Sequence, residues 1–239
     1  QELNFVSRPG FPNFSQPSGG AANGRGIYAW GATSTLYSVF NNSIYSATST
    51  LISTLVASSG RCWFTETPAT DTNQVLIVSD GAANYNITLA GVISTINASN
   101  ATNYPVSNLG PVHYLDGYIL QGQADGQIWN TRLNTVSSWN AAGVISASFK
   151  GDALEATHLQ KDQLVAMGKN SIEVYFNNGS TPAPLLRIDQ NTLDFGIASK
   201  NSLAWSGSVA LFVGENGSGG DGGRSVWQLQ AGSIAEVSN

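Results

Sequence analysis

The residues best suited to acid–base chemistry on a sugar are the carboxylates Glu66, Asp71, Glu155, Glu173, Asp189, Asp194 and Glu215. A glycosidase needs two such groups flanking one bond, and these fall in different stretches of the chain with no spacing that joins any two. Arg61, Arg132, Arg187 and Arg224 carry the planar fork that clamps an acidic group, but they share no common position either. His113 and His158 each precede a strong apolar run by a few residues, which fits a repeated structural position better than a catalytic pair. Cys62 is the only cysteine, so no internal disulfide forms, and with two histidines it is too little for a Cys/His metal cluster. The Asp-Gly pairs at 80–81, 116–117, 125–126 and 221–222 are turn formers and lack the alternating acidic ligands of a calcium loop. The glycine-rich run Gly214–Gly223 has no lysine, so it reads as a surface hairpin loop, or a tip that orders on contact, and not as a phosphate cradle. No nucleophile elbow, P-loop or zinc-protease helix is present. Accordingly no catalytic, cofactor-binding or metal-ligating residue is assigned, no cofactor is expected, and the chain is read as a non-enzyme.

Composition narrows the function classes further. The chain has 239 residues, 41% of them hydrophobic, which suffices for a core. Only 10% are charged, against roughly 25% in ordinary soluble domains. Asn, Ser, Thr and Gly fill the difference, and these suit turns and sheet surfaces more than helices. A surface so poor in charge fits a protein that meets other subunits. The net charge of −5 disfavours sequence-reading DNA binding, although a mildly negative wall lets DNA pass without sticking. No apolar run is long enough for a transmembrane helix, so no membrane insertion is expected. The chain begins at Gln1 without methionine or a leader-like segment, which points to processing or to a longer chain.

The elements that would position these residues are short strands. "LYSVFNNSIY" (Leu36–Tyr45) reads as two alternating strands around a turn at Asn41-Asn42. A lone hairpin is marginal in water, so it needs partners. The middles of the strongest strands, Tyr37, Leu76, Ile119, Val165 and Leu211, recur at intervals of 39, 43, 46 and 46 residues. Each is followed by a turn and a second strand carrying Tyr45, Tyr85, Trp129, Tyr175 or Trp227. Most have a short strand before the hairpin and an apolar run after it. Four short strands per 40–50 residues is the pattern of a β-propeller, which buries both faces of each blade against neighbours. A β-sandwich or β-helix also has frequent strands, but irregular spacing disfavours the helix and the grouping by four disfavours the sandwich. The expected fold is all-β: a propeller of about five four-stranded blades, or more in a longer chain, over 26–60, 61–108, 109–152, 153–196 and 197–239. An extended, irregular N-terminal arm covers 1–25. The blade aromatics and Leu36, Val39, Ile44 and Tyr45 are expected to pack between blades.

The order of longer stretches carries a resemblance. "LYSVFNNSIYSA", "NQVLIVSDGAANYNI", "PVHYLDGYILQGQADGQIWNTRLNTVSSWNAA", "LVAMGKNSIEVYFNNG", "PLLRIDQNTLDFGIASKNSLAW" and "VWQLQAGSIAEVS" together resemble the phage stabilisation proteins of short-tailed bacteriophages. The positions that carry it are Leu115–Tyr118, Trp139-Asn140, Glu173–Gly179, Arg187-Ile188 and Gly196–Trp205, within a span from Arg25 to Asn239. The resemblance implies a virion structural protein: a propeller subunit of a tail hub or nozzle below the portal, retaining packaged DNA and forming the conduit for its ejection. It implies a homo-oligomeric ring, commonly of six copies. Its neighbours would be portal or adaptor proteins and a distal tail fibre or needle, with packaged DNA in the lumen bound without sequence preference. The site would be the virion tail, assembled in the host cytoplasm. Family members are longer at both ends. A second reading, from the six tryptophans and abundant asparagine, is a carbohydrate-binding or glycoside-cleaving propeller.

Overall fold

The computed structural model describes residues 23–46, 50–68, 74–106, 108–206, 208–215, 224–230 and 233–238. Their strands form five antiparallel sheets in chain order; the first four are meanders in which sequence neighbours pair, and the fifth has a split first strand. The first holds β1 (Gly24–Trp30), β2 (Thr35–Phe40), β3 (Ser43–Ser46) and β4 (Thr50–Thr54). The second holds β5 (Trp63–Glu66), β6 (Val75–Ser79), β7 (Asn84–Thr88) and β8 (Ile93–Ile96). The third holds β9 (Asn108–Leu115), β10 (Tyr118–Gln123), β11 (Gln127–Asn130) and β12 (Ile145–Ser146). The fourth holds β13 (Leu154–Gln160), β14 (Gln163–Gly168), β15 (Ile172–Asn177) and β16 (Leu185–Arg187). In the fifth, β17 (Gly196–Ile197) and β18 (Ala204–Ser206) both pair with β19 (Val209–Glu215), followed by β20 (Ser225–Gln230) and β21 (Ser233–Glu236).

Tight turns set the hairpins. Asn41-Asn42 joins β2 to β3, with Asn41 at a φ of 48°. Asp116-Gly117 joins β9 to β10 with φ of 48° and 88°, the doubly left-handed turn whose twist matches paired strands. Asp80-Gly81 behaves differently. It opens a four-residue loop closed by the Ser79↔Asn84 pair, and the Asp80 amide bonds the Ala83 carbonyl.

Register decides which side chains meet, because directly paired residues share a face. The second sheet turns Leu76, Val78, Tyr85 and Ile87 onto Trp30, Tyr37, Val39 and Ile44 of the first. Its other face packs Val75 and Ile77 against Val112, Ile119 and Trp139. The third sheet buries Leu120 and Ile128 against Leu164, Ala166 and Tyr175 of the fourth. The fourth buries Val165, Met167 and Val174 against Phe195, Ala210 and Phe212 of the fifth. Four apolar seams thus tie five sheets in sequence, and each inner sheet is covered on both faces.

The first strands converge. β9 contacts both β5 and β13. Lys200, on the 3₁₀ turn between β17 and β18, donates to the Leu109 carbonyl and places its Nζ 5.1 Å from the Trp63 ring centre. One side chain of the fifth sheet therefore touches the third and the second, which requires the first strands to line a common axis. Gly110 makes room there: at φ 104° it lies beneath Trp63, where an added Cβ would come within 2.1 Å of the ring.

Some boundary residues fall differently from the sequence reading. The arm expected over 1–25 lies outside the described residues as far as residue 22, while Gly24 and Arg25 form part of β1. Asn108 opens β9 opposite Gln123, across a register shift, and so joins the third sheet. Gly196 pairs with Glu215 and belongs to the fifth. Among the described residues no helix is long and apolar enough to cross a membrane.

Candidate functional site

Among the described residues the predicted carboxylates do not gather in a cleft; Glu66 and Glu173 act as pins between and within sheets. Glu66 Oε1 accepts from the Tyr28 hydroxyl at 2.6 Å, tying the first two sheets. Burial, with Glu66 next, pushes the Tyr28 phenol well above its ordinary value. Glu155 stands 3.6 Å from Lys169, and Asp194 pairs with Lys150. Asp71 lies outside the described residues, as does the Glu215 side chain.

Among the described residues Glu173 is the one predicted carboxylate with a cluster around it. Its Oε1 accepts from the Phe149 amide at 3.0 Å, and its Oε2 from the Tyr175 hydroxyl at 2.9 Å and Arg187 Nη1 at 3.1 Å. Arg187 Nε also reaches Asp189 Oδ1 at 2.8 Å. A carboxylate, a tyrosine and an arginine form a plausible catalytic set by type. Here Glu173 and Tyr175 are 1% and 3% exposed, and both Glu173 oxygens are taken. The cluster holds the 147–153 connector, through Phe149, onto the fourth sheet. Of the other predicted arginines, Arg61 borders a shallow depression with Arg25 and Gly60, while Arg132 and Arg224 lie exposed and apart.

His113 and His158 do come together. Each sits two residues before the end of its inner strand, opposite Leu120 and Val165 respectively, so they are equivalent positions of successive repeats. His113 Nε2 lies 3.0 Å from Thr157 Oγ1, and the His158 ring stacks on Trp205 with centres 4.3 Å apart. Burial, with His158 adding, holds His113 down at about 3; burial alone holds His158 at about 4. Both are neutral at neutral pH and pack as core. Cys62 is buried, and burial pushes its thiol up to about 11, which makes it a poor nucleophile. Among the described residues no group of three His, Cys, Asp or Glu is placed to hold a metal ion.

Two polar residues of the first seam were not singled out by sequence. Arg25 Nε donates to the Gly60 carbonyl at 2.6 Å, and its Nη atoms to the carbonyls of Asn41, Ala57 and Asp80. Asp80 Oδ1 accepts from the amides of Ala82 and Ala83, and its Oδ2 from the Ala57 amide and the Tyr85 hydroxyl. The available signal was Gly24-Arg25-Gly26, a lone charge with glycines that let backbone approach. The second seam carries a buried amide pair, Asn84 Nδ2 to Gln121 Oε1 at 2.9 Å. On one rim the same seam opens into a cleft of about 550 Å³.

The protein is thus five antiparallel sheets stacked through apolar seams around an axis, with polar residues used as pins. The family model for "Bacteriophage P22 Gp10, beta-propeller" matches residues 5–239. The chain belongs to this phage propeller family. The five sheets are therefore blades, and the axis is that of a propeller. No curated protein sequence matches the chain. Among solved structures it is similar to a catalytically inactive virginiamycin B lyase from Staphylococcus aureus, at 14% identity and a TM-score of 0.55, over 92% of this chain and 71% of that one. PorZ of the type-IX secretion system of Porphyromonas gingivalis is similar at 12% identity and a TM-score of 0.48, over 90% of this chain and 26% of that one. At such identities the likeness to the lyase extends to the propeller fold alone.

Proposed function

We propose that this phage propeller is a non-enzymatic structural subunit of the virion tail, a hub or nozzle below the portal that retains packaged DNA and conducts it on ejection. Its membership of the phage family over residues 5–239 carries the reading. Glu66, Asp80 and Glu173, which could have served chemistry, are engaged in pinning blades and connectors, and this supports it. The proposed assembly is a ring of copies of this chain, six by the family resemblance, between portal or adaptor proteins above and a fibre or needle below, completed in the host cytoplasm. Its lumen is proposed to be net negative, in keeping with the net charge of −5, so that the DNA backbone is repelled and slides.

The test is a phage lacking the protein, complemented in trans. Particles without it are expected to package and then lose their DNA, and particles with it to show ring density on the tail axis. Full particles that hold their DNA without the protein would overturn the reading. A ring whose lumen is strongly basic would overturn the electrostatic part alone.

A further inference from the structure

Four seams join the five blades, and on one rim of the propeller three of them are tied by a hydrogen bond between neighbours. Tyr28 donates to Glu66 across the first seam. Asn177 Nδ2 donates to Asp116 Oδ2 at 3.0 Å across the third. Gln160 Nε2 donates to the Ser208 carbonyl across the fourth. Among the described residues the second seam has no such tie on this rim. There it opens into the cleft of about 550 Å³, inside the usual range for a small-molecule site.

The walls are Asn86 and Thr88 of β7 on one side and Tyr114 of β9 with Ser137 on the other; Val75 and Ile119 floor it. None of the described residues lining it is charged. The Asn86 amide projects from the same face as Ile77 and Ser94, its paired residues, toward the third blade. It has no hydrogen-bond partner among the described residues.

Each feature constrains the occupant. Among the described residues no charge opposes an ionic ligand, which would leave water at high desolvation cost. A purely aliphatic ligand would cover the Asn86 amide without satisfying it. A peptide strand has no edge to join on the β7 wall, because β7 is already bonded to β6 and to β8. A sugar ring offers hydroxyls that both donate and accept, as an amide requires, and an apolar face suited to a tyrosine ring and an aliphatic floor. We infer that this cleft between the second and third blades binds a neutral oligosaccharide, with Tyr114 against a ring face and Asn86 bonded to ring hydroxyls.

The test is saturation-transfer NMR on the full chain with maltose, cellobiose, lactose and chitobiose, with sialyllactose as a charged comparison and a neutral hexapeptide as the peptide arm. At least one neutral disaccharide is expected to receive saturation. Its affinity is expected to fall at least about tenfold in Asn86→Leu and in Tyr114→Ala, with cooperative unfolding retained. Asn86→Asp keeps the side-chain size, so it still tests the site should Tyr114→Ala fail to fold. The inference is overturned if no neutral disaccharide binds, if sialyllactose or the hexapeptide binds as well or better, or if the variants leave binding unchanged. None of these outcomes bears on the tail reading, which the phage lacking the protein tests separately.

Discussion

Replacing Asp80 with alanine removes one carboxylate and strands four donors. Asp80 is 3% exposed. Its partners divide by environment: the Ala83 amide and Tyr85 hydroxyl bond it in fully buried surroundings, while the amides of Ala57 and Ala82 are half-buried and can take water. An orphaned buried donor costs about 1–3 kcal/mol, so the two buried ones together set a loss of roughly 4 kcal/mol. For a chain of this size about 4 kcal/mol lowers the melting temperature by roughly 8–16 °C. Asp80→Asn refines the argument. It keeps an acceptor at Oδ1 for Ala82 and Ala83 but points a donor at the Ala57 amide and Tyr85 hydroxyl, so about half the loss is expected. Asp125→Ala is the control, because Asp125 accepts one exposed bond from the Gln127 amide, and less than about 1 kcal/mol is expected. Urea unfolding of the variants measures all three. If Asp80→Ala lies within about 1 kcal/mol of the parent, or is no worse than Asp125→Ala, the pin reasoning is wrong.

Three further outcomes are expected. Asn84→Leu should cost about 1–3 kcal/mol by orphaning Gln121, and Asn84→Leu/Gln121→Leu should recover part of it, a coupling read from a double-mutant cycle in urea. Gly110→Ala, with its clash against Trp63, should cost about 3 kcal/mol or more, whereas Gly151→Ala, at a φ of 65° with open space around it, should cost about 1 kcal/mol; equal melting temperatures would refute the clash. Below pH 6.5 the unfolded chain takes protons on His113 and His158 that the folded chain refuses until about pH 3 and about pH 4, respectively. Stability should therefore fall as pH drops from 6.5 to 4.5, by roughly 4 kcal/mol, and His113→Gln/His158→Gln should flatten that limb of the stability curve.

The parts of this fold legible from sequence are those written locally. The Leu36–Tyr45 hairpin shows as alternation around Asn41-Asn42, and its repetition at 39 to 46 residues shows that each sheet has like neighbours. The equivalence of His113 and His158 was visible for the same reason. What alternation cannot show is which residues meet across a seam. Arg25 and Asp80 are 55 residues apart, and Asp80 followed by Gly81 looks like a turn former and nothing more. The split first strand of the fifth blade was also hidden, because Gly196-Ile197 is too short to announce itself and pairs only when β19 is in place. The cleft lies where the described residues make no cross-seam tie, and the lack of a contact leaves no local signature.

The low charge of the chain acquires a physical meaning once the pins are located. Arg25, Asp80, Glu173 and His158 are all buried, so several of the few ionisable groups hold the interior and are withdrawn from the surface. Two opposite strategies could stabilise thin blades: wide apolar seams alone, or seams pinned by satisfied polar groups. Apolar seams resist sliding weakly, since one aliphatic contact substitutes for another, whereas a carboxylate with four donors fits one register only. The pins therefore set the angle between blades, and the surface left behind is amide- and hydroxyl-rich. Such a surface can meet a neighbouring subunit without stripping water from charges. A subunit built this way is pinned inside and inexpensive to dock outside, which suits the ring proposed above.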